Sequence, residues 1–516
     1  MLNLKHILKK TSVPDEYFEV LLVMSKLKFF IAVITILILS TCVTSRSSDD
    51  PDALGTVGTP NANIAVDVDT RYQYVRGFGG MDVGWGNFPR TTARDTELMY
   101  NPDTGLGLNI LRIMIMPGNT NIDATLTSMI NGTRPDYYEN VRIVNRHGGY
   151  VLASPWSPPA AWKSNNHTRG DGRLRPEHYQ DYANYLKAFA ANMQRNGAPI
   201  YAISIQNEPN YQVTYDGCLW SPQAMRDFFK QVGRFTEGVA GYGGGREMPY
   251  VLTMNGESAN HPNINDAALN DPQSRAVIDL IGRHTYGDRL NRYALAIDHP
   301  TDPKEVWMTE NNINSGNEAY YHLDSTWNYV WMFMNDVDLS IRLNHESAYI
   351  WWAAKRFYSF IGDDQWETDD GVILPRGYGV SHYAHFAKEM YRVNITSSGT
   401  TAGGDNLTTS NFNRRVYDRN DITAKVTAFV SPDGNTISFV MFTPTLASGE
   451  GGVDMGTIRL QLPEGFIIGS AAAMRTRRNN YAQWEDVVIC DDRNSALVLL
   501  PRGNIYSVRF TRLIEE

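Results

Sequence analysis

The sequence predicts an α/β fold, a (β/α)8 TIM barrel with an attached C-terminal β-sandwich, and three observations carry that expectation. From residue 75 to 390 short apolar runs alternate with longer amphipathic stretches, the texture of repeated βα units around a parallel sheet. Most of the runs are apolar at successive positions, as strands covered on both faces are. Eight of them can be counted, and eight parallel strands close a barrel.

The chain opens on an address. Lys26 and Lys28 precede an apolar run from Phe29 to Leu39 that ends in Leu39-Ser40-Thr41-Cys42. The run is about half the ~20 residues of a membrane-spanning helix and has the length of a signal-peptide core. Leu-Ser-Thr-Cys is similar to a bacterial lipoprotein cleavage box, so residues 1–42 are expected to be removed up to Cys42, the lipidated anchor of an outer-membrane or cell-surface protein. Plain secretion or a periplasmic location is the alternative. Met24 can begin a conventional signal by itself, which leaves residues 1–23 outside any fold. Residues 43–61 are rich in Ser, Thr, Asp, Gly and Pro without apolar periodicity, the composition of a tether.

Residues 62–74 alternate in strand fashion and are expected to join the C-terminal sheet. The eight barrel runs follow: Val75–Gly80, Leu108–Ile115, Tyr150–Ser154, Tyr201–Gln206, Tyr250–Asn255, Ile278–Thr285, Glu305–Thr309 and Ala348–Trp352. Helices are expected between them, as in Pro176–Asn196, where Tyr179, Tyr182, Leu186 and Phe189 keep a three-to-four spacing, and in Pro222–Val239. Residues 391–516 change to strands and turns. Lys425–Val430 and Thr436–Phe442 flank Pro432-Asp433-Gly434 as a hairpin, and Ile458–Leu462, Ala496–Leu500 and Tyr506–Phe510 continue the pattern.

Composition narrows the function classes. At 516 residues the chain exceeds one hydrophobic core, and 42% hydrophobic with 20% charged residues is ordinary globular usage. A net charge of −9 offers no basic footprint for nucleic acid. After Cys42 only Cys218 and Cys490 remain, too few and too far apart for a disulfide framework or a metal knuckle, so both are expected unpaired and neither metal nor cofactor is implied.

In a barrel, reacting groups sit just past the C-terminal ends of the strands. Gln206-Asn207-Glu208-Pro209 follows the fourth run and Trp307-Met308-Thr309-Glu310-Asn311 ends the seventh, so two strands on opposite sides of one mouth each end in a carboxylate. One such Glu is more often a cap or a surface charge. Glycosidic cleavage, however, needs such a pair, one carboxyl to protonate the departing oxygen and one carboxylate to attack or to activate water. Asn207 is placed to bond a sugar hydroxyl, Tyr286 in Arg283-His284-Thr285-Tyr286 to orient the nucleophile, and Arg112 to hold it ionised. The plainer readings are a structural salt bridge for Arg112 and a satisfied core histidine for His284. Trp156, Trp220 and Trp352 are candidate sugar platforms and equally candidate core residues.

From Gly77 to Tyr391 the chain resembles glycoside hydrolase family 30, most closely its bacterial glucuronoxylanase branch. The resemblance is carried by Gly77-Phe78-Gly79-Gly80-Met81, Ile110-Leu111-Arg112-Ile113, Ala153-Ser154-Pro155-Trp156-Ser157-Pro158-Pro159, Tyr201 through Pro209, Leu269-Asn270-Asp271-Pro272-Gln273 and Trp307-Met308-Thr309-Glu310. It implies Glu208 as acid/base, Glu310 as nucleophile, retention of configuration, endo action on xylan and a monomer. The segment Ala353-Ala354-Lys355-Arg356-Phe357-Tyr358 is similar to one that grips the glucuronic acid branch of xylan, which makes Arg356 and Tyr358 uronate candidates; Arg forks match carboxylates bidentately. Lys355, Ala353, the longer stretch Gly362–Asp370 and Asn311-Asn312-Ile313-Asn314 depart from that branch. The alternatives are a β-1,6-glucanase, β-1,6-galactanase or β-glycosidase on the same barrel, or an inactive glycan-binding surface lipoprotein.

Overall fold

Gly79 shows how tightly the first barrel strand is seated, since a Cβ there would stand 1.6 Å from the Ile110 carbonyl oxygen of the neighbouring strand. The computed structural model of the protein describes residues 60–84, 86–259, 262–286, 291–312, 328–399, 423–445 and 451–514. The signal run, Cys42 and most of the tether lie outside the described residues, as do Ile313 and Asn314.

In chain order the first strands are β1 (Ala62–Val75), β2 (Gly77–Asp82), β3 (Ile110–Ile115), β4 (Tyr150–Pro155), β5 (Ala202–Ser204), β6 (Gly241–Gly243), β7 (Arg246–Met248), β8 (Leu252–Met254), β9 (Leu280–His284), β10 (Glu305–Asn311) and β11 (Ala348–Ala353). The barrel runs β2-β3-β4-β5-β8-β9-β10-β11 with every neighbour parallel, and β11 pairs back onto β2 to close it. The small β6–β7 hairpin hangs from β4. Inside, Ile110, Leu152, Tyr201, Met254, Trp307 and Ile350 fill the lower barrel, with Tyr201 stacked on Trp307 at 5.8 Å. This apolar plug leaves only the upper end of the barrel for polar groups.

The outer helices bury their periodic faces. Tyr179–Arg195 buries Tyr182, Leu186, Phe189 and Met193, after the single 3-10 turn of Pro176–His178. Pro222–Val232 starts where Ser221 Oγ accepts from Ala224 N at 3.1 Å with Pro222 in the first turn, and stops at Gly233, whose φ of +59° ends it short of the expected Val239.

The second sheet adds β12 (Met390–Gly399), β13 (Lys425–Val430), β14 (Thr436–Phe442), β15 (Gly456–Gln461), β16 (Ile468–Arg477), β17 (Asn480–Glu485), β18 (Val488–Ile489), β19 (Ser495–Leu500) and β20 (Asn504–Arg512). Its order is β17-β16-β20-β14-β13-β12-β1-β15-β19-β18, with β1 antiparallel to β12 and parallel to β15. The layers are thus the wings of one curled sheet: Arg475 on β16 donates to the Leu499 carbonyl on β19 at 2.9 Å, and Ile64, Val393, Phe439, Leu460, Val498 and Phe510 share one core. Helix Pro375–Phe386 joins barrel to sheet. Its His382 bonds Ser507 Oγ and Thr476 Oγ1, both at 2.9 Å, and Tyr378 stacks on Tyr481 at 4.8 Å. Cys218 and Cys490 are unpaired. Among the described residues no helix is long and apolar enough to cross a membrane.

Candidate active site

β5 ends at Ser204, but the chain keeps bonding to its neighbours as it climbs to the mouth. Asn207 N donates to the Pro155 carbonyl and Glu208 N to the Glu257 carbonyl, both at 2.9 Å. Glu208 then takes φ +45°, a left-handed turn that costs a residue with a Cβ about 1–2 kcal/mol and aims its side chain across the opening. Glu310 is aimed by a different device. The register of β10 slips between Met308 and Glu310 against β9 and between Met308 and Asn311 against β11, an irregularity of the kind that redirects a side chain.

Between the two carboxylates lies a cluster whose Arg112, Glu257 and His284 are fully buried. Arg112 on β3 donates Nη1 to Glu310 Oε2 at 2.6 Å, Nη2 to Asn207 Oδ1 at 2.7 Å and Nε to Ser154 Oγ at 3.2 Å, and it pairs with Glu257 at 2.9 Å. Tyr286 donates its hydroxyl to Glu310 Oε1 at 2.8 Å. His284 at the end of β9 meets Glu208 Oε1 through Nδ1 at 3.0 Å, while its Nε2 lies 3.8 Å from Glu310 and 3.9 Å from Glu257. Tyr215 donates to the other oxygen of Glu208 at 3.0 Å. One oxygen each of Glu208 and Glu310 lies within 4.8 Å of the other and of a His284 ring nitrogen. A cation held by those three would face the Arg112 guanidinium on the same carboxylate, so the donor set suits a paired acid and base better than a metal.

Residues 134–340 match the glycosyl hydrolase family 30 TIM-barrel domain. Over 353 residues the chain is 29% identical to a glucuronoxylanase of Bacillus subtilis strain 168, an alignment that covers 65% of this chain and 73% of that one. The barrel carries a glycosyl hydrolase family 30 domain, and the chain is a glycosidase. The family fold extends through the second sheet. A family 30 subfamily 8 xylanase of Clostridium acetobutylicum superposes with a TM-score of 0.65 at 23% identity, covering 87% of this chain and 99% of its own. An endo-β-1,6-glucanase superposes at 0.58 and 16% identity, covering 87% and 94%.

The electrostatics of the family 30 site follow from burial against charge. Burial would raise Glu257, but Arg112 and then His284 bring it down to about 2. Burial would also neutralise His284, and the surrounding Glu310, Glu208 and Glu257 carboxylates reverse it, up to about 9. In Glu310 burial prevails over His284 and Arg112, assisted by the Glu208 charge, and the carboxyl lies above its ordinary range. In Glu208 burial is outweighed by the His284 and Tyr215 hydrogen bonds and by Arg112, and the carboxyl lies below. His284, one hydrogen bond from Glu208, is thus favoured in its charged form.

The other candidate residues divide. Trp156 is buried beneath the Arg112 guanidinium, 4.9 Å from ring to carbon, and 6.3 Å from the half-buried Trp352, so Trp352 is the more open of that pair. Trp220 is core, stacked on Tyr179 at 6.0 Å. Arg356, expected to grip a uronate, is 4% exposed, donates to the Asn87 carbonyl at 2.8 Å and faces Asp363 at 3.4 Å, and Tyr358 is buried beside Phe357. The long stretch after β11 supplies Asp363. Two site residues escaped the sequence reading. Glu257 follows the fifth apolar run, Tyr250–Asn255, after only Gly256, the same signal that singled out Glu208 and Glu310. Tyr215 sits in an irregular loop, and no local pattern points to it.

Proposed function

We propose that the protein is a retaining glycosidase that cleaves the β-1,4-linked backbone of xylan internally by double displacement. The observation that carries this is the Glu208–Glu310 pair, whose oxygens approach within 4.8 Å. Retaining pairs stand about 5–5.5 Å apart, whereas inverting ones leave about 6.5–9.5 Å for a water. Glu310, oriented by Arg112 and Tyr286, attacks the anomeric carbon. The bond to the leaving oxygen breaks with its electron pair on oxygen, which takes the proton of Glu208. Glu208 takes that proton up on Oε2, the oxygen turned to the opening, as substrate enters, while His284 Nδ1 holds Oε1 at 3.0 Å. In the second half Glu208 takes a proton from the attacking water, and Glu310 departs with the electrons of its ester bond.

The glucuronoxylanase relative supports xylan as the polymer. The burial of Arg356 against Asp363 speaks against this residue making uronic acid a requirement, and it keeps a β-1,6-glucanase as the second reading. Reducing-sugar release from glucuronoxylan, arabinoxylan and β-1,6-glucan, by wild type and by Glu208→Ala, separates them. We expect both xylans to be cleaved, and Arg356→Ala to slow the two in equal proportion; selective loss on glucuronoxylan would restore the uronate grip. We also propose export and anchoring through Cys42: Cys42→Ser should move the protein from the membrane to the soluble fraction with its activity unchanged, and continued partitioning with membranes would refute the anchor.

A further inference from the structure

Among the described residues, the two large rings most open to solvent near Glu208 belong to the loop that follows it. Tyr211 is 51% exposed and Tyr215 46%, while Trp156 and Trp220 are buried and unavailable for stacking. An exposed tyrosine that buries little area adds little to folding, yet this loop is held firmly. Gly170 N donates to the Tyr215 carbonyl and Gly217 N to the Thr168 carbonyl, both at 3.0 Å. Beneath them the buried Lys163 ammonium donates to the Thr168 carbonyl at 2.9 Å and also to that of Gly217. The bracing presents the rings, and it does not cover them.

Tyr215 is also chemically placed. Glu208 turns Oε1 inward to His284, so Oε2 is the oxygen that faces the opening, and the Tyr215 hydroxyl occupies its hydrogen-bonding position at 3.0 Å. The oxygen of a scissile glycosidic bond must come within the same distance to be protonated.

We propose that Tyr211 and Tyr215 form the leaving-group side of the cleft, stacking the departing sugars, and that the Tyr215 hydroxyl stands in the place of the glycosidic oxygen until substrate displaces it. This rests on the reading of Glu208 as the acid. Tyr215 is then a positioning residue for Glu208 as well as a sugar platform. While its hydroxyl is bonded, Glu208 is favoured in its ionised form; once it is displaced, that support is gone and the carboxyl accepts the proton it will pass on. The other groups facing Glu208 are His284, Arg112, Glu310, Glu257 and Tyr286.

The test compares xylan with β-xylobiosyl fluoride, whose leaving group fills no sugar position. Stacking of aromatic faces is worth enough for Tyr215→Ala, and separately Tyr211→Ala, to lower kcat/KM on xylan by about tenfold through KM, with the fluoride changed less than about twofold. Partition of the glycosyl-enzyme to an added acceptor xyloside, which must sit on the same rings, should fall in parallel. Tyr215→Phe keeps the ring and removes the donor, so the alkaline limb of kcat/KM should move to higher pH. Equal losses on both substrates in variants whose melting temperature is unchanged, or an unmoved alkaline limb in Tyr215→Phe, would overturn the proposal. If wild type hydrolyses neither xylan nor the fluoride, the xylanase reading fails first and takes this one with it.

Discussion

His284 and His382 are both completely buried, one in the barrel mouth and one in the seam between barrel and second sheet, and their surroundings drive them in opposite directions. His382 lies between the hydroxyls of Ser507 and Thr476 with no carboxylate against it; burial, then the nearby His385 and Arg475 charges, push it down to about 3. His284 has the same burial but three carboxylates within 4 Å, and is pushed up to about 9. Burial alone neutralises a histidine, so a buried and charged one marks a place where charge has been gathered for a purpose. The seam spends its polar groups on stability and the mouth spends its own on chemistry.

The largest effect should come from removing charge at the mouth. Glu310→Gln leaves Arg112 paired with Glu257, so the protein should fold and melt close to wild type while turnover falls to background. Glu208→Ala should lose about 10²–10⁴-fold on xylan and far less on an aryl glycoside whose leaving group needs no proton. If Glu310→Gln instead unfolds the protein with no catalytic signature in the folded fraction, the mouth is a structural cluster like the seam and the contrast is broken.

The seam should answer in the opposite currency. His382→Ala strips partners from two buried hydroxyls and leaves space behind, which should cost about 2–4 kcal/mol by chemical denaturation with kcat per folded molecule unchanged. A fall in kcat without a fall in stability would mean that the seam communicates with the mouth.

How much of this was legible follows from where each residue stands. Glu208, Glu310, Asn207, Arg112, His284 and Tyr286 lie on or just beyond apolar runs, so reading the barrel strands placed them at one mouth, and the structure brings all six together. Glu257 obeyed the same rule and was passed over because its run is closed by Gly256. Tyr215 depends on a contact made by a loop, and Arg356 on an acidic partner seven positions later; tertiary proximity decides both. In the second sheet, β16 and β17 were missed because their faces are mostly half-exposed, with no clean two-residue alternation to reveal them.

The smallest effect, and the sharpest for the comparison, is the pH dependence of stability. His382 has its folded pKa lowered from 6.5 to about 3, so the unfolded chain binds the proton more readily. Its stabilising contribution is complete above pH 6.5 and is lost as pH falls toward 3. His284 has its folded pKa raised from 6.5 to about 9, so its contribution is complete below pH 6.5 and is lost as pH rises through 9. Melting curves of wild type, His382→Gln and His284→Gln across this range should therefore separate the two sites. His382→Gln should flatten the acid fall in melting temperature and leave the alkaline fall alone, because glutamine offers hydrogen bonds without titrating. His284→Gln should flatten the alkaline fall. Glu257, lowered from 4.5 to about 2, adds its own loss as pH falls through that range; this cancels between wild type and His382→Gln, whereas His284→Gln, which removes part of what holds Glu257 down, is compared on the alkaline side alone. Identical pH profiles for the two variants would mean that the two histidines carry the same charge when folded, and that the carboxylates around His284 do not hold its proton.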